Sequence, residues 1–145
     1  MQSISTIVQQ FFQEFNRASI AMDMEAILAQ FNDPFVYAGA NGVSIVTRAN
    51  FAGAVSKQKQ FFDSLYLQNA ETAPSEEWAM DDQCTGVRAN VSMTFKKSSG
   101  EIVSVEQKVS YVLSLKNMPP VIIVYSNPNV LTELLQKAGL MSPGE

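Results

Sequence analysis

Any chemistry in this chain has to be done without histidine, since none of its 145 residues is one. Serine or cysteine nucleophiles activated by His, His general bases and most catalytic zinc sites are thereby excluded. Acid–base work would fall to Asp, Glu, Tyr, Lys or the single cysteine, Cys84. The acidic pairs Glu76-Glu77 and Asp81-Asp82 make no dyad, because adjacent strand residues point to opposite faces. Cys84 has neither a His nor a sequence-adjacent Lys to favour its thiolate, so it reads as unreactive. No catalytic residue, metal centre or cofactor site emerges.

What does stand out is Gln107, which interrupts an apolar alternation between Val105 and Val109 and should share their face. A buried amide without partners costs on the order of 1–3 kcal/mol, so something must satisfy it. Two readings do so: a polar contact in a ligand cavity, or a hydrogen bond to backbone, a helix side chain or trapped water. Tyr111 and Tyr125 would direct hydroxyls into the same space, with Tyr37 near its mouth, although aromatic residues in such positions are more often core. Trp78 either lines that space or covers an edge. Asn16, beside the apolar stripe of the first helix, faces either the mouth or solvent. These six form the candidate ligand-binding set.

The elements that position them follow from periodicity. From Val87 to Phe95, and again from Val103 to Leu115, apolar and polar residues alternate around the turn at Lys96–Gly100, predicting an antiparallel hairpin with one apolar face. Ile4, Ile7, Val8, Phe11, Phe12, Phe15, Ala18 and Met22 have helical spacing, capped by Ser3 or Ser5. Asp23 caps a second, shorter helix carrying Met24, Ile27, Leu28 and Phe31. Asp33-Pro34 breaks it ahead of a strand over Phe35–Ala38, and a second short strand covers Val43–Thr47. Thr47 caps a helix over Arg48–Tyr66. Leu67–Met80 is weakly patterned, and Pro74 there fits only an edge strand or a bulge. After a turn at Asn117–Pro120, Val121–Tyr125 is apolar on both faces. Asn127 and Pro128 then start a closing helix that Gly139 ends, leaving a frayed tail at Met141–Glu145. Helices segregated from an antiparallel sheet give an α+β fold, with residues 1–145 as a single domain.

Composition narrows the partners. With 46% hydrophobic and 17% charged residues the chain is an ordinary globular one. A formal charge of −4, with its basic residues scattered, argues against nucleic acid or an anionic membrane surface as partner. No apolar run approaches the roughly 20 residues that span a bilayer. The absence of a disulfide pair, and a start that lacks the features of a signal peptide, lead to the expectation of a cytoplasmic protein.

The element order, with Phe31-Asn32-Asp33-Pro34-Phe35-Val36-Tyr37 and the later Asn41-Gly42, resembles the nuclear-transport-factor-two-like superfamily. Its members include SnoaL-like proteins, ketosteroid isomerase, scytalone dehydratase and limonene epoxide hydrolase. The resemblance covers about residues 3–127, leaving the helix at about 128–140 as an addition. It implies a curved antiparallel sheet wrapped around the long N-terminal helix, a cone or roll whose open end holds a ligand. It also implies a homodimer through the outer sheet face. The family's catalytic groups do not carry over. Registered on Asn16, the isomerase's helix tyrosine falls on Phe11, its general-base aspartate on Gly39, and its second oxyanion acid near Ser110 or Tyr111. The cyclases and dehydratases depend on His. The hydrolase's Arg-x-Asp corresponds to Arg88-Ala89-Asn90, whose amide cannot accept a proton as a carboxylate does, and its partner Asp falls near Ser126. Strand alternation puts Arg88 and Asn90 on the outer face, facing solvent or a dimer partner, whereas the hydrolase-like reading needs them inward through a bulge near Gly86.

Three function classes follow: binding of a small hydrophobic or aromatic molecule in an apolar pocket; isomerase, cyclase or dehydratase chemistry on Tyr, Asp or Glu; and a dimeric structural or accessory subunit.

Overall fold

Residues 4–116 and 118–142 are described by the computed structural model. Its first three helices begin where side chains can take up orphan backbone N–H groups. The Ser5 hydroxyl accepts from the Val8 N–H at the start of α1 (Thr6–Ala21). Asp23 accepts from the Ala26 N–H to start α2 (Met24–Ala29), and Thr47 accepts from the Asn50 N–H to start α3 (Arg48–Ser64).

α2 is shorter than its periodicity suggests. Phe31 does not close it but opens β1 (Phe31–Gly39), so the cis Asp33-Pro34 bond lies inside the strand. The pull on Phe31 is tertiary: its ring lies 4.8 Å from Phe35 and 4.5 Å from Phe51. β2 (Gly42–Val46) pairs back on β1. β3 (Leu67–Ala79), β4 (Cys84–Lys96) and β5 (Ile102–Ser114) form a long meander, and β6 (Val121–Asn127) completes the sheet. Pro74 sits on the edge strand β3 at a register shift, the placement its missing N–H requires.

The six-stranded sheet has the order β2-β1-β6-β5-β4-β3 and is curved and unclosed. The expected antiparallel sheet is in fact mixed, because β1 runs parallel to β6. No hairpin joins those two strands, so no tight turn forces them to oppose. The alternation in β4 and β5 fixes the inner face. Val87, Ala89, Met93, Phe95, Val105, Val109, Tyr111 and Leu113 are buried, whereas Arg88, Lys96, Glu106 and Lys108 are exposed.

α1 lays Val8, Phe11 and Phe12 against one half of this face, around Val87, Val109, Leu113 and Ile122. The other half is covered by α3, through Phe62, and by α4 (Leu131–Lys137), whose Leu135 is fully buried among Met93, Phe95 and Val105. The apolar side of the closing helix therefore packs on its own sheet. That helix starts later than the Asn-Pro signal suggests. Asn127 ends β6, and its side-chain carbonyl accepts from the Asn129 N–H instead of capping a helix at Pro128. Asn117 of the expected turn, and 143–145 of the expected tail, lie outside the described residues.

Leu135 is the residue through which α4 holds. Leu135→Ala should lower the unfolding free energy by about 2–5 kcal/mol in urea denaturation. A loss below about 0.5 kcal/mol would mean that α4 is not part of the cooperative core.

Candidate functional site

Three tyrosines meet on the inner face because their strands put them in register. Tyr125 of β6 pairs with Tyr37 of the parallel β1 and with Tyr111 of the antiparallel β5. Tyr111 and Tyr125 stack at 5.1 Å with an interplanar angle of 9°, and Tyr37 lies 5.4 Å from Tyr125. From the other side the α1 rings Phe12 and Phe15 pack on Tyr111 at 5.3 and 6.0 Å. Tyr111 is 3% exposed, while Tyr37 and Tyr125 are half-buried, so the ladder runs from the core towards the surface.

Amides close its outer end. The Asn127 Nδ2 donates to Gln107 Oε1 at 3.2 Å and to the Tyr125 hydroxyl at 3.3 Å. The Asn127 Oδ1 accepts from both the backbone N–H and the Nδ2 of Asn129, and that Nδ2 also donates to the Lys108 carbonyl. Gln107, 7% exposed, is thus partnered by a strand side chain, a partner that neither of its sequence readings had named.

Burial pushes the Tyr111 phenol well above its ordinary pKa, reinforced by Tyr125 and opposed by a hydrogen bond with Thr72. Burial likewise raises Tyr125, against the hydrogen bond from Asn127. Both phenols are thus neutral over the whole physiological range. The group as assembled, three phenols and three primary amides, offers donors and acceptors but no base.

The other two candidates stand apart. Asn16 bonds twice to the backbone of Thr72, accepting from its N–H at 2.8 Å and donating to its carbonyl at 2.9 Å. It acts as a short stand-in strand on the free edge of β3. Trp78 pairs with Gly86 in register, and its ring covers that glycine so closely that a Cβ there would come within 2.2 Å of Cε2. Gly86 lies on the same face as Arg88, so Trp78, 39% exposed, belongs to the outer surface. Arg88 faces Glu76 there at 3.7 Å, and with Asn90 and Lys108 it lines a polar cleft of ≈ 480 Å³. Glu77 turns inward, but its carboxylate accepts from the Ser5 N–H and hydroxyl at 2.7 and 3.0 Å, holding the start of α1.

Thr72 and Asn127 complete the assembly without having been singled out by sequence. Asn127 was legible: two residues beyond Tyr125 on one strand, it must share that face. Thr72 carried no such signal, because β3 is only weakly alternating.

No protein-family model and no curated protein sequence matches the chain. Solved structures do. An NTF-2 like protein of unknown function from Shewanella oneidensis superposes with a TM-score of 0.65 at 11% identity, over 83% of this chain and 94% of that one. The beta subunit of a benzoate 1,2-dioxygenase from Burkholderia mallei gives 0.62 at 16% identity, over 88% and 91%. A ketosteroid isomerase-like protein from Erwinia carotovora gives 0.58 at 15% identity, over 83% and 88%. At such identities the likeness establishes the architecture alone. The chain has the nuclear-transport-factor-two-like fold, a scaffold shared by proteins of differing roles.

Two measurements test this geometry. Above about pH 10 an unfolded chain gives up its phenol protons before the folded one does, so stability should fall with rising pH there. Tyr125→Phe should flatten that slope by up to about 1.4 kcal/mol per pH unit in denaturation at pH 9–11; an unchanged slope would show that Tyr125 is not held neutral by burial. Asn16→Asp keeps an acceptor for the Thr72 N–H but sets a carboxylate against the Thr72 carbonyl. It should cost about 1–3 kcal/mol at pH 7, and the loss should shrink as the pH falls towards about 4, where the new carboxyl is protonated. A pH-independent cost would contradict the two-bond clamp.

Proposed function

We propose that the chain binds a small, neutral hydrophobic or aromatic molecule without transforming it, at the end of the tyrosine ladder where Tyr37, Tyr125, Gln107 and Asn127 meet. The observation that carries this reading is the chemical neutrality of the assembly. The phenols of Tyr111 and Tyr125 are held protonated by burial, and the other groups that close the ladder are amides. Stacked rings supply a flat apolar wall, and amides supply orientation without proton transfer. An isomerase or dehydratase at this place needs a base that exchanges protons near neutral pH. The inward-turned carboxylate of Glu77 is already engaged with Ser5 at the start of α1.

Assembly through the outer sheet face, as a homodimer or an accessory subunit, is a second reading. What favours it is Trp78, a large ring left part-exposed on a face otherwise lined by Arg88, Asn90 and Lys108. The two readings are compatible.

Native mass spectrometry of freshly purified protein, before and after denaturation, tests both. The expected result is a dimer carrying a discrete small-molecule mass, with occupancy in Gln107→Leu reduced about tenfold, as for the loss of one buried polar contact. An empty protein that also takes up nothing from a panel of neutral aromatic compounds would sink the binding reading. A monomer would sink the assembly one.

A further inference from the structure

An apolar hollow lies away from the tyrosine ladder and shares no residue with it. It opens between α1, α2 and the segment that leads into β6, with a volume of ≈ 270 Å³. Ile7, Phe11, Ala26, Ala29, Met118 and Pro120 make its apolar wall, with Gln10 and Glu14 also on the lining. Gln30 completes it. This residue caps the C-terminal end of α2, and its backbone carbonyl accepts from the Ile122 N–H, so its position is fixed. Its side chain is another matter. Gln30 is 7% exposed, and neither its Oε1 nor its Nε2 has a partner, the only buried side-chain polar atoms among the described residues of which this is true.

An orphaned buried donor and acceptor are costly, and proteins satisfy nearly all of them. Both orphans here belong to one amide, and that amide is carried by a residue that lines an apolar hollow. We propose that this hollow is a ligand site for a small apolar molecule bearing a neutral carboxamide, whose N–H donates to Gln30 Oε1 while its carbonyl accepts from Gln30 Nε2.

Size and charge select this class. A dry cavity of about 150 Å³ holds a benzene ring, so ≈ 270 Å³ has room for one ring with an amide substituent. A carboxylate offers acceptors only. It would leave Oε1 unanswered, and no cation lines the hollow to receive it: the one charged lining residue, Glu14, is acidic and already paired with Arg17. A plain hydrocarbon would leave both Gln30 atoms as they are. A group with one donor and one acceptor side by side answers both.

The test is an NMR titration of the full chain with benzamide and, separately, with benzoate, following the Gln30 side-chain amide and the Met118 methyl. Benzamide should shift both signals saturably, with benzoate binding at least about tenfold more weakly. Gln30→Leu should weaken benzamide about tenfold or more while raising the denaturation midpoint, since it removes the orphaned pair. If that variant does not fold, Gln30→Met carries the same comparison. No saturable shift at these two signals, equal binding of benzoate, or unchanged benzamide affinity in the variant would each overturn the assignment. Because Gln107 takes no part, the Gln107→Leu protein should bind benzamide here as the wild type does, which keeps this site's fate separate from that of the tyrosine ladder.

Discussion

Two hydrogen bonds between Asn16 and the backbone of Thr72 set where the first helix lies, and much of the molecule depends on that placement. The N–H and carbonyl of Thr72 point away from β4, at the open border of the sheet, and would otherwise need water. With Asn16 in place, α1 is tied to β3 near its C-terminal half, while Glu77 ties the Ser5 end to the same strand. Fixed at two points, the helix can bring Phe11, Phe12 and Phe15 down on the inner face in only one register. That register puts Phe12 and Phe15 on Tyr111, and Tyr111 on Tyr125. A side chain read from sequence as a candidate contact is thus a positioning device for others.

Charge is sorted across the sheet. Apart from Glu77, whose carboxylate is taken up by Ser5, the inner face carries rings, aliphatic side chains, amides and phenols, whereas Arg88, Glu76, Glu106 and Lys108 lie on the outer one. Polar groups inside come as matched partners: Gln107 with Asn127, Tyr125 with Asn127, Tyr111 with Thr72. Such satisfied networks give a core a unique arrangement at little cost in stability. Gln30 departs from the pattern, and it does so beside a hollow.

Sequence periodicity carried the fold a long way. The β4–β5 hairpin and the caps at Ser5, Asp23 and Thr47 all follow from local rules that nothing tertiary opposes. The failures have tertiary causes. Phe31 reads as the last turn of a helix, but Phe35 and Phe51 draw it into a strand. Asn127 and Pro128 spell a helix start, yet the asparagine is engaged with Gln107, Tyr125 and Asn129. Of the candidate site, Gln107 and the tyrosines converge because alternation and register are geometric constraints. Trp78 sits elsewhere because a weakly patterned strand with a bulge at Pro74 hides its phase. The orphaned amide of Gln30 has no sequence signal at all, since glutamine at a helix end is ordinary and its lack of partners exists only in three dimensions.

The two borders of the sheet are unlike. On β3, Pro74 has no N–H to give and the backbone of Thr72 is already taken by Asn16. On β2, Val43 and Ile45 are each 73% exposed along a strand that pairs only with β1. A sheet with two open borders can polymerise without limit, strand on strand. One with a single open border cannot: if β2 meets β2 of another copy, both free ends are consumed and the outward ends are closed. Growth by that route terminates at a pair, and the contact that orients the first helix leaves the stretch of β3 around Thr72 and Pro74 a poor template for a further strand.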